Sequence, residues 1–209
     1  MSDLTFYTNP MSRGRIVRWM LEEVGAPYET VVLDFGPGMK GSEYLSVNPM
    51  GKVPAIRHGA HAVTEAAAIC TYLAEVFPEA GLRPDETLLA PYYRWMFFGA
   101  GPVEAAVTNA SKGWNPGGPE EEGRFGYGSL DRVIGALEQL VAGSGPYLLG
   151  GRFTALDVYL GSQIAWGLQF GTMPERPGFR DYVARITDRP AARRARQIDD
   201  ALLAEQRPS

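Results

Sequence analysis

The chain has one cysteine, Cys70, so it can form no internal disulfide. That residue lies on the helical face of Ile69 and Leu73, where a small core side chain is expected rather than a nucleophile. No apolar run approaches the roughly 20 residues that cross a bilayer, so no membrane association is expected. Positive charge is not in excess. Against 24 Asp and Glu stand 20 Lys and Arg, a net charge of −4, and no basic run flanks the aromatic residues as a nucleic-acid surface requires. Arg193, Arg194 and Arg196 cluster near the end of the chain and are expected as a solvated helical face. The opening residues include acidic Asp3 and lack a cationic start followed by an apolar stretch, so a cytoplasmic location is expected. No internal repeat is visible.

What is present suits a folded enzyme-sized protein. With 209 residues and 45% apolar content, the chain can bury one large core or two small ones. Its halves are unlike. Residues 3–8 read as a strand, and Ile16, Val17, Met20, Leu21 and Val24 recur at helical spacing until Gly25 stops the helix. Tyr28 to Leu33 is a β-branched run, followed by a Gly36-Pro37-Gly38 loop and a short helix near Ser42 to Leu45. Val53 to Arg57 and Ala62-Val63 supply two more strands around the turn His58 to His61, ahead of a helix from Ala66 to Phe77. Such an order predicts a thioredoxin-like α/β N-terminal domain over 1–77, and proline and glycine mark a linker over 78–85. From 86 to 209 the period stays near 3.6, predicting an all-α helical-bundle C-terminal domain. Its helices are expected at about Glu86 to Ala110, Tyr127 to Val141, Leu156 to Phe170, Phe179 to Thr187 and Ala191 to Glu205, with a mobile loop over Gly113 to Gly123. Thr154-Ala155-Leu156-Asp157 has the spacing of a capping box and is assigned to folding.

One segment points to a ligand. In Asn48-Pro49-Met50-Gly51-Lys52-Val53-Pro54-Ala55-Ile56, proline holds the preceding valine extended, so Val53 can offer its N–H and C=O to another extended chain. An X-Pro bond is also where a cis peptide is least costly, which lets Val53-Pro54 turn the valine backbone outward. Farther on, Thr64 can cap a helix whose first turn holds Glu65. Glu65 then offers a carboxylate to an ammonium while free N–H groups at the helix start take a carboxylate. A ligand with an amino acid head group fits both.

These motifs, with the opening Leu4 to Arg15 and the stretch Gly145 to Asp157, resemble the cytosolic glutathione transferase family, in particular its bacterial-type members with serine or asparagine in the active-site loop. The three matching segments follow the family's order and span most of the chain. The resemblance implies glutathione as co-substrate, bound through Val53 and Pro54 at its cysteinyl backbone, through Glu65 and Ala66 at its γ-glutamyl end, and through Lys40 and Lys52 at its glycyl carboxylate. Many members have serine where this chain has Ala66, so one hydroxyl contact is missing and binding is expected to weaken without being lost. For the thiol, Ser12 is the first choice and Asn9 the second, with Tyr7 as a third candidate. Ser12 could equally be the N-cap of the helix that begins near Arg13. With no cysteine in this loop, the protein has no thiol of its own for mixed-disulfide chemistry.

The second substrate is expected to be a small apolar electrophile. Tyr92, Trp95, Met96 and Trp114 are its candidate lining, at the meeting of the two halves, where clefts favour apolar walls. Trp95 to Phe98 are four successive bulky residues that one helix cannot bury on a single side, and the surplus agrees with the homodimer that the resemblance implies. A glutathione-dependent peroxide or disulfide reductase is an alternative activity, and a non-catalytic glutathione-binding or interaction module is an alternative of another class.

Overall fold

The computed structural model describes residues 3–143 and 145–205, which form two compact units. One unit holds the residues up to Arg83 together with those from Asp188 onward; the other is Pro84–Thr187.

The first unit opens with β1 (Leu4–Thr8), α1 (Gly14–Val24), β2 (Glu29–Val32), α2 (Pro37–Lys40), α3 (Ser42–Leu45), β3 (Ala55–His58), β4 (His61–Thr64) and α4 (Ala66–Val76). The sheet order is β2-β1-β3-β4, with β1 and β2 parallel and the other neighbours antiparallel. This is the thioredoxin-like α/β arrangement the sequence pattern predicts. Alternation along β1 buries Leu4, Phe6 and Thr8 and leaves Thr5 and Tyr7 half-buried. Phe6 pairs with Ile56 on the face that α1 and α4 cover, where Ile16, Val17, Met20, Leu21, Ile69, Cys70 and Leu73 are all sealed from water. Each of those side chains contributes about 1.5 to 3 kcal/mol when fully buried. Burial also pushes the Cys70 thiol up from its ordinary range, so it is a core residue as expected. Gly25, at φ 68, ends α1 with its N–H on the Leu21 carbonyl at 3.0 Å. On the opposite face Met39, Tyr44, Val47 and Ala55 pack with Tyr7, Leu33 and Val53.

The second unit is all helical: α5 (Leu89–Phe98), a π-helical turn over Gly99–Val103, α6 (Glu104–Ser111), α7 (Pro119–Glu122), α8 (Leu130–Gly143), α9 (Ala155–Gln169) and α10 (Phe179–Thr187). The single helix expected over Glu86 to Ala110 is therefore interrupted. Pro102 lies inside the π turn and has no N–H to give the ladder, so the hydrogen-bond register widens there. The expected loop over Gly113 to Gly123 also contains a helix, α7, whose Glu121 carboxylate takes the Gly117 N–H at 2.6 Å.

Helix α11 (Pro190–Glu205) belongs with the first unit, whereas the sequence division placed everything from 86 onward in the second. Charge pairing with α1 explains the difference. Arg18 Nε meets Asp199 Oδ1 at 3.2 Å with both side chains buried, and Arg18 Nη1 donates to Tyr28 and Thr30. Arg189 grips the Glu23 carboxylate with two bonds of 2.7 Å, Arg194 pairs with Glu22, and Arg15 with Asp200. Arg193, Arg194 and Arg196 are exposed, as a solvated face would be; of the three, Arg194 also reaches α1, 172 residues away at Glu22. Among the described residues no helix is long and apolar enough to cross a membrane.

Candidate active site

Strand register brings three segments to one end of the sheet. Tyr7 pairs with Ala55 and Ala55 with Thr64, so the residues after β1, before β3 and after β4 all leave the sheet on the same side. Neighbouring strands lie about 4.8 Å apart, so these exits span roughly 10 Å, the length of three extended residues.

The first exit is the loop Asn9 to Arg13. Asn9 is buried; its side-chain amide donates to the Leu33 carbonyl at 2.8 Å and its Oδ1 accepts the Met11 N–H at 2.9 Å. It braces the loop from beneath, with at least one of its two amide protons spent on Leu33. Ser12 is half-buried. Its hydroxyl donates to the Asn9 carbonyl at 2.7 Å and accepts the Gly14 N–H at 2.9 Å. Ser12 therefore does satisfy a first-turn N–H of α1, although the N-cap position itself is Arg13. Gly14 is required by close approach: a Cβ there would stand 2.0 Å from Thr8 Oγ1. Tyr7 packs its ring on Tyr44, centroids 5.5 Å apart, in the cluster beneath β3.

The second exit is Lys52-Val53-Pro54. The Val53-Pro54 peptide is cis, Pro54 is buried and Val53 half-buried. Tyr44 Oη and Asn48 Nδ2 both donate to the Lys52 carbonyl, at 2.6 and 2.7 Å. Burial raises the Tyr44 hydroxyl to about 12, so it keeps its proton at neutral pH. Sequence reasoning quoted Asn48 only as part of a motif and missed Tyr44 altogether, since nothing in a single sequence tells which carbonyl a tyrosine reaches.

The third exit is Glu65 and the start of α4. Thr64 ends β4 opposite Ala55 and is not the cap; the N-cap is Glu65, which makes no side-chain capping bond. Glu65 is exposed and, among the described residues, is the one non-glycine with positive φ, at φ 67 and ψ 118. Its Ala66 neighbour is buried. Holding a branched-off side chain in that backbone region costs about 1 to 3 kcal/mol. Ile69 N–H reaches the Glu65 carbonyl at 2.9 Å, and the earlier N–H groups of α4 carry no side-chain cap.

Lys40 and Lys52 are both exposed. Lys40 Nζ donates to the Met50 and Gly51 carbonyls at 3.0 Å each, fastening the turn and leaving one of its three protons. In the second unit Tyr92, Trp95 and Met96 are buried, while Trp114 is 66% exposed. Of the four side chains expected to line an electrophile site, Trp114 alone offers wide surface.

A four-stranded thioredoxin-like unit carrying an uncapped helix start beside a cis-proline loop, followed in sequence by an all-helical unit, defines a class of ligand-binding fold. Residues 2–75 match the family described as the glutathione S-transferase N-terminal domain. The chain is 31% identical over 154 residues to glutathione S-transferase-like protein gedE of Aspergillus terreus, covering 66% of this chain and 67% of that protein. It is 29% identical over 198 residues to the glutathione S-transferase-like protein OpS6 of Beauveria bassiana, with 89% and 90% covered. A similar solved structure is the glutathione transferase of Methylococcus capsulatus, at 28% identity and TM-score 0.75 over 95% of this chain and 99% of the other. The chain belongs to the glutathione S-transferase family.

Proposed function

We propose that the chain is a glutathione transferase, which holds glutathione across the three exits and activates its thiol for attack on a small apolar electrophile. The observation that carries this reading is Glu65. An exposed carboxylate held in a strained backbone at an uncapped helix start is costly without a use. In this reading it takes the γ-glutamyl ammonium, while the free N–H groups of Ala66 and Ala67 take the adjoining carboxylate. Val53 pairs with the cysteinyl backbone as an added strand, and Lys40 and Lys52 face the glycyl carboxylate. Relatives solved with glutathione bound, such as the glutathione transferase homologue of Sulfitobacter at 26% identity, support the choice of ligand.

The thiol lies with Ser12. A free thiol of pKa about 8.5 is only a few per cent ionised at neutral pH, and lowering that value by two units takes about 2.7 kcal/mol. Gly14 N–H fixes the Ser12 oxygen, so rotation of the O–H from the Asn9 carbonyl to sulfur exchanges a neutral bond for one to an anion, a net gain of about 1 to 1.5 kcal/mol. The α1 N-terminus adds about 0.3 to 1 kcal/mol. The thiol proton passes to solvent, and the thiolate sulfur gives its electron pair to the electrophilic carbon as the bond to that carbon's leaving group breaks and the leaving group departs with its pair. Of the four residues expected at the electrophile site, Trp114, the exposed one, is the proposed lining, and a homodimer is the proposed assembly, to be checked by sedimentation velocity.

Isothermal titration with glutathione tests the head-group assignment. Wild-type chain should bind, and Glu65→Ala should weaken binding at least tenfold with the melting temperature preserved. Equal affinity of the two proteins would reject it.

A further inference from the structure

The Lys52 carbonyl is held in an unusual way. Two donors converge on it, Tyr44 Oη at 2.6 Å and Asn48 Nδ2 at 2.7 Å, and both residues are 4% exposed. A carbonyl oxygen has two lone pairs, so this acceptor is fully used from one side. Asn48 is itself fixed: its Oδ1 takes the Met50 N–H at 3.0 Å and its carbonyl the Gly51 N–H at 2.8 Å. Gly51, at φ 58, closes the turn so tightly that a Cβ would stand 2.6 Å from the Met39 carbonyl. The Lys52–Val53 peptide is trans, and in a trans peptide the C=O and N–H point in opposite directions. Pulling the Lys52 oxygen inward therefore turns the Val53 N–H outward. Among the described residues, that N–H has no hydrogen-bond partner.

We propose that Tyr44 and Asn48 are positioning residues that pin the Lys52–Val53 peptide plane so that the Val53 N–H is aimed at the cysteinyl carbonyl of a bound γ-glutamyl tripeptide. The inference rests on the glutathione reading and adds to it a cause for the site's backbone geometry. A donor fixed before binding loses little freedom when the ligand arrives, so affinity gained at Val53 depends on two side chains that never touch the ligand.

Two ligands and two variants of the full chain test it by titration calorimetry. The ligands are glutathione and an analogue with a methylene in place of the cysteinyl carbonyl, which cannot accept from Val53. Tyr44→Phe keeps the ring packed on Tyr7 and loses the hydroxyl; Asn48→Asp keeps the acceptor for Met50 N–H and loses the donor to Lys52. Each variant should bind glutathione about fivefold more weakly than wild type and bind the analogue within about twofold of wild type. Equal weakening for both ligands would mean that the residues only support the fold, and unchanged glutathione affinity would mean that the pin is idle; either overturns the proposal. Failure of the wild-type chain to bind glutathione would overturn the underlying reading instead, and is seen before any variant is made.

Discussion

Two helices begin beside a threonine, and they begin in opposite ways. At α9, Thr154 and Asp157 form the capping box; the Asp157 carboxylate takes the Thr154 and Leu148 N–H groups at 2.9 Å each and the Tyr182 hydroxyl at 3.1 Å. The Thr154 and Asp157 N–H groups at that start both find partners, and the acid is buried. At α4, Thr64 remains in its strand, Glu65 caps nothing, and the carboxylate stands in solvent on a strained backbone. A closed start is a structural joint, whereas an open one leaves its N–H groups to water or to a ligand. The same contrast separates the acid that stabilises the fold from the acid that costs it stability.

Breaking the closed start should have the largest effect. Asp157→Ala orphans two buried N–H groups and a buried hydroxyl and should lower unfolding free energy by about 4 kcal/mol, measured by urea denaturation. At the open start, Glu65→Gly should do the reverse: relief of the positive φ should raise stability by about 1 kcal/mol while glutathione affinity falls. Loss of both stability and affinity would erase the contrast.

The closed start should also make stability depend on pH. Burial raises the Asp157 pKa above the ordinary carboxylate range, against its hydrogen bonds, which lower it. The folded state then takes up a proton at higher pH than the unfolded chain. The resulting stability is fully present below the unfolded value of about 3.9 and is lost as pH rises through the folded one. Asp157→Asn should remove that component from the pH dependence of the denaturation midpoint. The smallest expected change is Ala66→Ser, which returns a hydroxyl at the open start and should tighten glutathione about fivefold with stability unaltered; titration calorimetry reads it directly.

What was legible in the sequence is what depends on neighbours along the chain. The strand β1, the apolar stripe of α1 and its Gly25 stop, the β3–β4 hairpin and the Thr154–Asp157 box all follow from spacing of a few residues. Ser12, Val53 and Glu65 were legible as site candidates because their motifs are local, and register brings their segments to one end of the sheet. The rest depends on distance. Asn9 answers to Leu33, Tyr44 to Lys52, and Arg18 to Asp199, and no periodicity encodes those pairs. Thr64 misled because a threonine before a glutamate reads as a cap, yet pairing with Ala55 holds it in the sheet.

The most direct measurement is a pH titration of the thiolate ultraviolet band of glutathione bound to the full chain. The account predicts a midpoint about one to two units below that of the free thiol, moved back toward it by Ser12→Ala with binding retained. An unshifted midpoint with glutathione fully bound would contradict it and leave the open start of α4 as a holder without chemistry.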